Sequence, residues 1–294
     1  MSARRILVGL IGANITKSLS PALHADAFAA AGMDGYYHLM DVDILRGRSL
    51  AQLLAAAKAT GFAGTNVTFP FKQEVVALLD DLDLEAEQIG AVNTVTIAPD
   101  GRTKGYNTDR SGFRRNFESG LGRPSAEGAS AVLVGAGGAG RAVGFALMDL
   151  GIADLAVHDR NGAQMTSLVA DLRKHFGGAR CRPVDDLARA VAAADGVVNA
   201  TPVGMLGMAG NPVPVSALRP DHWTADVIYT PLETEFIKAA AARGARVLTG
   251  GGMCVYQAVE AFRLFSGVTP DVERMHRTFI RALAARDAVL APQG

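Results

Sequence analysis

The chain has 294 residues, enough for two domains of ordinary size. Its 29 Lys and Arg balance 29 Asp and Glu, and 49% of its residues are hydrophobic, as in ordinary globular proteins. The chain has no surplus of basic residues that would indicate a nucleic-acid partner. The first apolar run is too short to span a membrane and carries no cleavage-site pattern, so we expect neither a membrane partner nor a signal peptide.

The two cysteines, Cys181 and Cys254, lack the spacing of a metal site or of a disulfide framework. We therefore expect reduced thiols in the core of a cytoplasmic protein, and no bound metal. The composition leaves both a monomer and a homodimer open.

Strand and helix patterns alternate along residues 1–112, which predicts an α/β domain. The predicted strands are 6–11, 36–42, one that begins at Gly64, 90–97 and 102–106. The predicted helices are 22–31, 50–58, 70–79, 85–89 and one from Ser111.

Polar residues follow several of these strands. Ser18 and Ser20 follow the first, and Ser20 before Pro21 is typical of an N-cap followed by the first residue of a helix. The two hydroxyls are either caps and turn formers or ligands of a polyol or carboxylate. Asn93 is likewise either a turn residue or a site residue, and Asp109 is either an N-cap or a site residue.

Lys72 is predicted in the first turn of the helix that begins at Pro70. This is a poor place for a cation, because the dipole of a helix is positive at its N-terminus. The lysine is either solvated on the surface or directed into a site where it transfers a proton. In the second case Asp109 is the better partner, as a carboxylate that orients the ammonium and accepts from a substrate hydroxyl.

The most informative stretch begins with four apolar residues, 131–134, which predict a short buried strand. The strand leads into Gly135, Gly137 and Gly140, and a helical pattern continues to Leu150. This arrangement predicts a dinucleotide-binding turn, in which the glycines allow a tight turn, close approach of a pyrophosphate and close packing of the helix. The positive end of the helix favours phosphates. The alternative is a glycine-rich loop between a core strand and a helix.

The alternation continues through residues 113–250 and predicts a Rossmann-type, doubly wound parallel sheet. The predicted strands are 153–158, 179–184, 196–200, 225–228 and 246–249, and the helices are 163–176, 186–194 and 235–243. Two closing helices, 255–265 and 271–290, lie in a last segment, 251–294, which we expect to return to the first domain. Ligands of such sheets bind at the carboxyl ends of the strands, where the polar or glycine-rich segments 199–205, 229–231 and 250–253 lie.

A two-domain α/β chain with one dinucleotide turn is most simply a dehydrogenase with a cleft between its domains. Asp159, after the second strand of the dinucleotide domain, suits the ribose 2′-OH of NAD, whereas the adjacent Arg160 suits the 2′-phosphate of NADP. We favour NAD because the acid occupies the position usual in NAD enzymes, and NADP stays open.

Together these motifs resemble those of shikimate dehydrogenases, and more closely their quinate/shikimate dehydrogenase branch, over residues 6–280. The motifs that carry the resemblance are 18–21, 66–72, 90–94, 107–109, 135–140, 199–202 and Gln257. The resemblance implies reversible oxidation of the C3 hydroxyl of shikimate to 3-dehydroshikimate, or of quinate to 3-dehydroquinate.

The resemblance also implies roles for single residues. Ser18 and Ser20 would bind the substrate carboxylate, with Tyr229 nearby. Lys72 and Asp109 would be the catalytic pair, with Lys72 as the proton acceptor in the oxidation. The remaining implied contacts are Thr68, Asn93 and Gln257 to ring hydroxyls, Thr201, Val203, Gly252 and Met253 near the nicotinamide, and Gly135, Ala136, Gly137, Gly138, Ala139, Gly140, Asp159 and Arg160 to the rest of the dinucleotide.

Two features set the chain apart from the pattern of the biosynthetic enzymes. Those enzymes usually have Asn-Arg-Thr after the second strand of the dinucleotide domain, whereas this chain has His158, Asp159, Arg160 and Asn161. The second feature is Val203, which follows Pro202 where those enzymes usually have Met, a mild change. The segment 229–234 is similar to the quinate-using branch. The alternatives are a strict NADP shikimate dehydrogenase of aromatic amino-acid biosynthesis and a non-catalytic regulator that binds the same ligands, which would be expected to lose Lys72 or Asp109.

Overall fold

The computed structural model describes residues 5–177 and 180–290. The chain divides into two compact units. Unit 1 comprises Met1–Thr108 and Val255–Gly294, and unit 2 comprises Asp109–Cys254. The division predicted from the sequence, 1–112, 113–250 and 251–294 with a cleft, remains a prediction.

Unit 1 is built on a mixed six-stranded sheet with the strand order β2-β1-β3-β5-β6-β4. Its elements are β1 Arg5–Gly12, α1 Ser20–Ala30, β2 Asp34–Asp41, α2 Leu50–Ala59, β3 Gly64–Val67, a 3₁₀ helix Glu74–Leu78, β4 Asp81–Leu82, α3 Leu84–Ile89, β5 Thr94–Ile97 and β6 Thr103–Tyr106. Strands β2, β1 and β3 are parallel, whereas β5 is antiparallel to both β3 and β6. The carboxyl ends of β1, β2 and β3 therefore lie at one edge of the sheet.

Unit 2 is built on a fully parallel six-stranded sheet with the strand order β12-β11-β10-β7-β8-β9. Its elements begin with α4 Thr108–Gly120, which starts at the last residue of unit 1, and a 3₁₀ helix Arg123–Ser125. They continue with β7 Ser130–Val134, α5 Gly138–Asp149, β8 Asp154–His158, α6 Gly162–Phe176, β9 Cys181–Pro183, α7 Leu187–Ala193, β10 Gly196–Asn199, a 3₁₀ helix Val215–Ala217, β11 Trp223–Asp226, α8 Glu235–Ala241 and β12 Arg246–Leu248. Two long helices close the chain, α9 Gly251–Ser266 and α10 Val272–Leu290, and from Val255 onward they belong to unit 1.

The sheet of unit 2 confirms the predicted doubly wound fold. The order of its strands reverses between β7 and β10, which pair in parallel from Gly196 opposite Ala131 to Asn199 opposite Val134. Strand β10 is buried on both faces, as its apolar sequence requires when helices cover both sides of a parallel sheet. The carboxyl ends of β7 and β10 therefore flank the switch point at which ligands of such sheets bind.

Each unit has its own apolar core, which holds the strand ends in place. In unit 1, Ile11, Val67 and Val95 from three strands pack with Leu53 and Leu54 of α2. In unit 2, buried valines of β7 and β10 pack with Phe236 and Ile237 of α8 and with Val191 of α7. Among the described residues, no helix is both long and apolar enough to cross a membrane.

Three local predictions from the sequence are wrong. Ser20 is not an N-cap but the first residue of α1, and its N–H donates to Ser18 Oγ at 3.2 Å. No regular helix spans 70–79; the carbonyl of Lys72 instead accepts the N–H of Val92 at 2.7 Å, which draws this segment into a turn.

The third wrong prediction is the start of α4, which the sequence pattern places at Ser111. Helix α4 begins at Thr108, so Asp109 is its second residue and not its N-cap. The predicted strand 179–184 begins outside the described residues, since 178 and 179 are not described, and its observed part is β9. The short strand β4 has no signal in the sequence, because two residues are too few to show a period.

Candidate active site

The two candidate serines follow β1: Ser18 lies in the turn, and Ser20 is the first residue of α1. Both are half-buried, and Ser18 N–H donates to the carbonyl of Ile15 at 2.9 Å. Asp41, buried at the end of β2, holds this turn: its carboxylate accepts the N–H groups of Ile15 and Asp43 at 2.8 and 3.0 Å. Sequence reasoning missed Asp41, whose partner at Ile15 is 26 residues away.

Asn93 is the centre of a buried network at the carboxyl end of β3. Its Oδ1 accepts from Thr94 Oγ1 at 3.0 Å and from Thr108 N at 2.8 Å, and its Nδ2 donates to Thr108 Oγ1 at 3.0 Å. A backbone N–H at the start of α4 thus has a side-chain acceptor from a different element. Asn93 therefore fixes the position at which the helix that carries Asp109 begins.

Two further residues extend this network, and neither was singled out from the sequence. Asn66 Nδ2 donates to Thr94 Oγ1 at 2.9 Å and to the carbonyl of Asn93 at 3.2 Å. Tyr37 Oη donates to Asn66 Oδ1 at 2.8 Å. The alternation of donors and acceptors fixes which way each amide faces, because an amide oxygen cannot donate.

The structure brings the segments of Lys72, Thr68 and Asn93 together. Thr68 follows β3 and donates its N–H to the carbonyl of Ile11 at 3.0 Å, while the Lys72 carbonyl accepts from Val92. Lys72 and Thr68 are half-buried. Asp109 is buried in the first turn of α4, and Gln257 is half-buried on α9.

The glycine turn between β7 and α5 has the geometry that its spacing predicts. Gly135 has φ +106°, and a Cβ there would lie 2.7 Å from the carbonyl oxygen of Ala200. A Cβ at Gly140 would lie 2.0 Å from the carbonyl oxygen of Gly135. At Gly137, in contrast, a Cβ would meet no described atom within 4 Å, so this glycine leaves open space above the turn. Gly138 and Ala139 follow in the first turn of α5, whose N-cap, Gly137, supplies no side-chain acceptor.

Asp159 follows β8 and connects two backbone turns. Its Oδ2 accepts the N–H of Ala136 at 2.6 Å, and its Oδ1 accepts the N–H of Asn161 at 2.7 Å. Asp159 is half-buried, and the adjacent Arg160 is exposed. A carboxylate thus lies beside the glycine turn, at the position that suits a ribose 2′-OH.

The segment after β10 folds into a second turn. Asn199 Oδ1 accepts from the N–H and the hydroxyl of Thr201 at 3.0 and 2.7 Å, and Thr201 Oγ1 accepts the N–H of Val203 at 3.2 Å. Asn199 Nδ2 donates to the carbonyl of Val203 at 3.1 Å and to Asp226 Oδ1 at 3.0 Å. Asp226 ends β11, and burial raises the pKa of its carboxyl to about 6, although three hydrogen bonds favour its charged form.

Two other predicted segments lie near these turns in unit 2. Tyr229 is half-buried in the loop after β11, and the carbonyl of Thr230 accepts the N–H of Leu206 at 2.9 Å. Gly252 and Met253 lie in the first turn of α9. A Cβ at Gly252 would lie 1.9 Å from Oδ1 of Asn116, so only glycine fits beside this buried amide.

The two units offer different chemistry. Unit 1 gathers neutral amides and hydroxyls at the carboxyl end of β3, a set that suits a small polyhydroxylated ligand. Unit 2 presents backbone N–H groups and a helix N-terminus beside a carboxylate, a set that suits a phosphate-linked ribose.

Two family models match parts of this chain. Residues 10–95 match the family model described as the shikimate dehydrogenase substrate binding domain. Residues 250–278 match the model described as the shikimate 5′-dehydrogenase C-terminal domain.

Similarity to individual proteins extends over nearly the whole chain. The quinate/shikimate dehydrogenase (NAD(+)) of Corynebacterium efficiens is 47% identical over 95% of this chain and 99% of its own. The shikimate dehydrogenase (NADP(+)) of Streptomyces avermitilis is 45% identical over 94% of this chain and 95% of its own. The structure of quinate dehydrogenase from Corynebacterium glutamicum in complex with NAD has a TM-score of 0.87 at 45% identity and covers 95% of this chain and 99% of that chain. The chain therefore belongs to the shikimate dehydrogenase family, in its quinate/shikimate dehydrogenase branch.

Proposed function

We propose that this protein is an NAD-dependent quinate/shikimate dehydrogenase, which reversibly oxidises the C3 hydroxyl of quinate or shikimate to the 3-dehydro acid. The observation that carries the cofactor assignment is Asp159, whose carboxylate lies beside the glycine turn and accepts the N–H of Ala136. A 2′-phosphate in this position would meet a negative charge, whereas a 2′-OH would meet an acceptor.

The residues of unit 2 fit a dinucleotide. Gly137 leaves space above the turn, and the first amides of α5 have no side-chain cap at Gly137. We assign the pyrophosphate to residues 135–140, the adenosine ribose to Asp159 and Arg160, and the surroundings of the nicotinamide to Thr201, Val203, Gly252 and Met253. Bound NAD supplies the hydride acceptor for the carbon that carries the reacting hydroxyl.

The residues of unit 1 are assigned to the acid. Ser18 and Ser20 are assigned to the carboxylate, as is Tyr229, and Thr68, Asn93 and Gln257 are assigned to ring hydroxyls. Asn93 Oδ1 already accepts from Thr94 and Thr108. Asn93 therefore offers a substrate its second amide N–H and binds a hydroxyl through the lone pairs of the hydroxyl oxygen.

Lys72 and Asp109 are assigned to the proton transfer. In the oxidation, the Lys72 amine accepts the proton of the C3 hydroxyl, and Asp109 accepts a hydrogen bond that orients the reacting groups. In the reduction the Lys72 ammonium returns this proton. A cytoplasmic location is part of the proposal and is supported by Cys181 and Cys254, which are buried and form no disulfide.

A four-way assay tests the proposal: quinate and shikimate are each offered with NAD and with NADP, and reduced dinucleotide is followed by absorbance. We expect turnover of one or both acids with NAD, and a lower kcat/KM with NADP. Preference for NADP with shikimate alone would instead assign the protein to the NADP-dependent biosynthetic enzymes. Ligand binding without turnover in all four combinations would indicate a regulator.

A further inference from the structure

Asp226 is a buried carboxylate that the proposed chemistry does not use. It is 2% exposed, and it forms no ion pair within the described part of the chain. Its charge is met only by hydrogen-bond donors: Asn199 Nδ2 and Ile228 N at 3.0 Å on Oδ1, and Thr234 Oγ1 at 2.8 Å on Oδ2. Burying a carboxylate without a cation is unfavourable, so this arrangement calls for an explanation.

The three donors belong to two different segments. Asn199 organises the turn to Val203, which contains Thr201, and it does so with the same amide group that donates to Asp226. Ile228 and Thr234 bound the loop that contains Tyr229, and Thr234 is also the N-cap of α8, where its hydroxyl accepts the N–H of Ile237 at 3.2 Å. One carboxylate therefore touches both loops that follow β10 and β11.

We propose that Asp226 is a positioning residue that joins the 199–203 turn to the 228–234 loop. In this way it fixes the position of Tyr229 and of the residues assigned to the nicotinamide. This inference rests on the proposed function. Without an acceptor at Asp226, the nitrogen of Asn199 keeps the carbonyl of Val203 as its acceptor but loses its bond to β11. The N–H of Ile228 and the hydroxyl of Thr234 lose the same acceptor, so the two loops lose the group that joins them.

Three variants separate positioning from simple loss of stability. Asp226→Ala removes all acceptors, whereas Asp226→Asn keeps the oxygen that serves Asn199 and Ile228 and changes only the side that faces Thr234. The matched control is Asp195→Ala. Asp195 lies just before β10, at the opposite end of that strand, and its carboxylate accepts the N–H and the hydroxyl of Ser130, both at 2.8 Å. It precedes the same strand but reaches neither loop.

The first measurement is steady-state turnover together with the Kd of NAD. For Asp226→Ala we expect kcat to fall by about 10- to 100-fold, because small misplacements of reacting groups cost rates of this order. The Kd of NAD should change less than threefold, since the pyrophosphate is assigned to the glycine turn. Asp226→Asn should restore most of kcat, and Asp195→Ala should leave kcat unchanged although it lowers the melting temperature.

The second measurement is amide hydrogen exchange, which needs no activity. In Asp226→Ala, peptides that cover 199–204 and 227–234 should both exchange at least about fivefold faster, as expected when about 1 kcal/mol of local bonding is lost. Unchanged exchange in either peptide, or an equal loss of kcat in Asp195→Ala, overturns the proposal. A wild-type protein that oxidises neither acid would refute the proposed function, and the exchange comparison would still decide the role of Asp226.

Discussion

The two units hold their strand ends together with opposite chemistry. In unit 1 the centre is Asn93, a neutral amide that donates and accepts, and its neighbours Asn66, Thr94 and Thr108 do the same. In unit 2 the centre is Asp226, which as a carboxylate only accepts. The neutral network fixes the direction of each amide without any charge. The charged centre joins two loops through one group, and it makes the network of Asp226 sensitive to pH in a way that the network of Asn93 is not.

The largest effect is expected for Lys72, whose carbonyl holds the residue before Asn93 in place. Lys72→Ala should lower kcat by about 10²- to 10⁴-fold, the usual range for the loss of a general base. Binding of the acid, measured by calorimetry in the presence of NAD, should weaken much less. Lys104→Ala is the control, because Lys104 pairs with Asp81 on the surface. Turnover like that of the wild type in Lys72→Ala would reject the mechanism and leave the neutral network without a catalytic role.

The contrast between a charged and a neutral centre is tested by the pH dependence of stability. Because burial raises the pKa of Asp226 from 3.8 to about 6, the native protein keeps this proton after the unfolded chain has released it. The stability that Asp226 contributes is therefore complete below about pH 4 and is lost as the pH rises to about 6. The loss amounts to about 3 kcal/mol.

Asp226→Asn removes this titration. The difference in unfolding free energy between wild type and variant, from urea titrations at pH 4 to 8, should change by about 3 kcal/mol across this window and be level above it. Carboxylates with a lowered pKa, such as Asp26 and Asp195, have the opposite pH dependence and cancel in the difference. A difference that does not vary with pH would remove the contrast between the two networks.

Unit 1 is tested by Asn93→Ala, which leaves the N–H of Thr108 and two hydroxyls without their acceptor. We expect a loss of about 1–3 kcal/mol in unfolding free energy, independent of pH between 4 and 8. The KM of the acid should also rise. Ser49→Ala, which removes the exposed N-cap of α2, should cost about 1 kcal/mol without any change of KM. An Asn93 variant with unchanged KM would make this network purely structural.

The smallest effect is expected at the cofactor. Asp159→Ala should lower the ratio of kcat/KM for NAD to that for NADP by about tenfold, the equivalent of 1.4 kcal/mol and of one charged hydrogen bond. Asp154→Ala serves as the control, because Asp154 lies at the other end of β8 and pairs with Arg182. If the ratio stays the same, Asp159 supports the glycine turn without selecting the dinucleotide.

The sequence predicts best those features that the backbone itself demands. Gly135 and Gly140 can be predicted from the sequence because no side chain fits at these positions. The regular alternation of strands and helices is likewise enough to predict the parallel sheet. The sequence does not predict the turn around Lys72 or the start of α4 at Thr108, because a tertiary hydrogen bond to Val92 and a cap from Asn93 override the local helix signals.

The two network centres, Asn93 and Asp226, are harder to predict from the sequence, and the reason is physical. Asp226 ends an apolar strand and bonds to Asn199, which is 27 residues away, and Tyr37 bonds to Asn66, which is 29 residues away. Nothing local in the sequence marks such partners, because the bonds exist only once the parallel strands have paired. The assignment of Asn93 to a site came from resemblance, and its role in starting α4 came only from the structure.

Gly137 differs in kind from the other two glycines of its turn. Its backbone angles, φ −71° and ψ −169°, are open to any residue, and a methyl group there would meet open space. Folding therefore does not require glycine at this position, and only a bound pyrophosphate would. A Gly137→Ala protein should fold as the wild type does and yet fail to bind dinucleotides. With this variant, the binding of the acid could be measured in the absence of any bound cofactor.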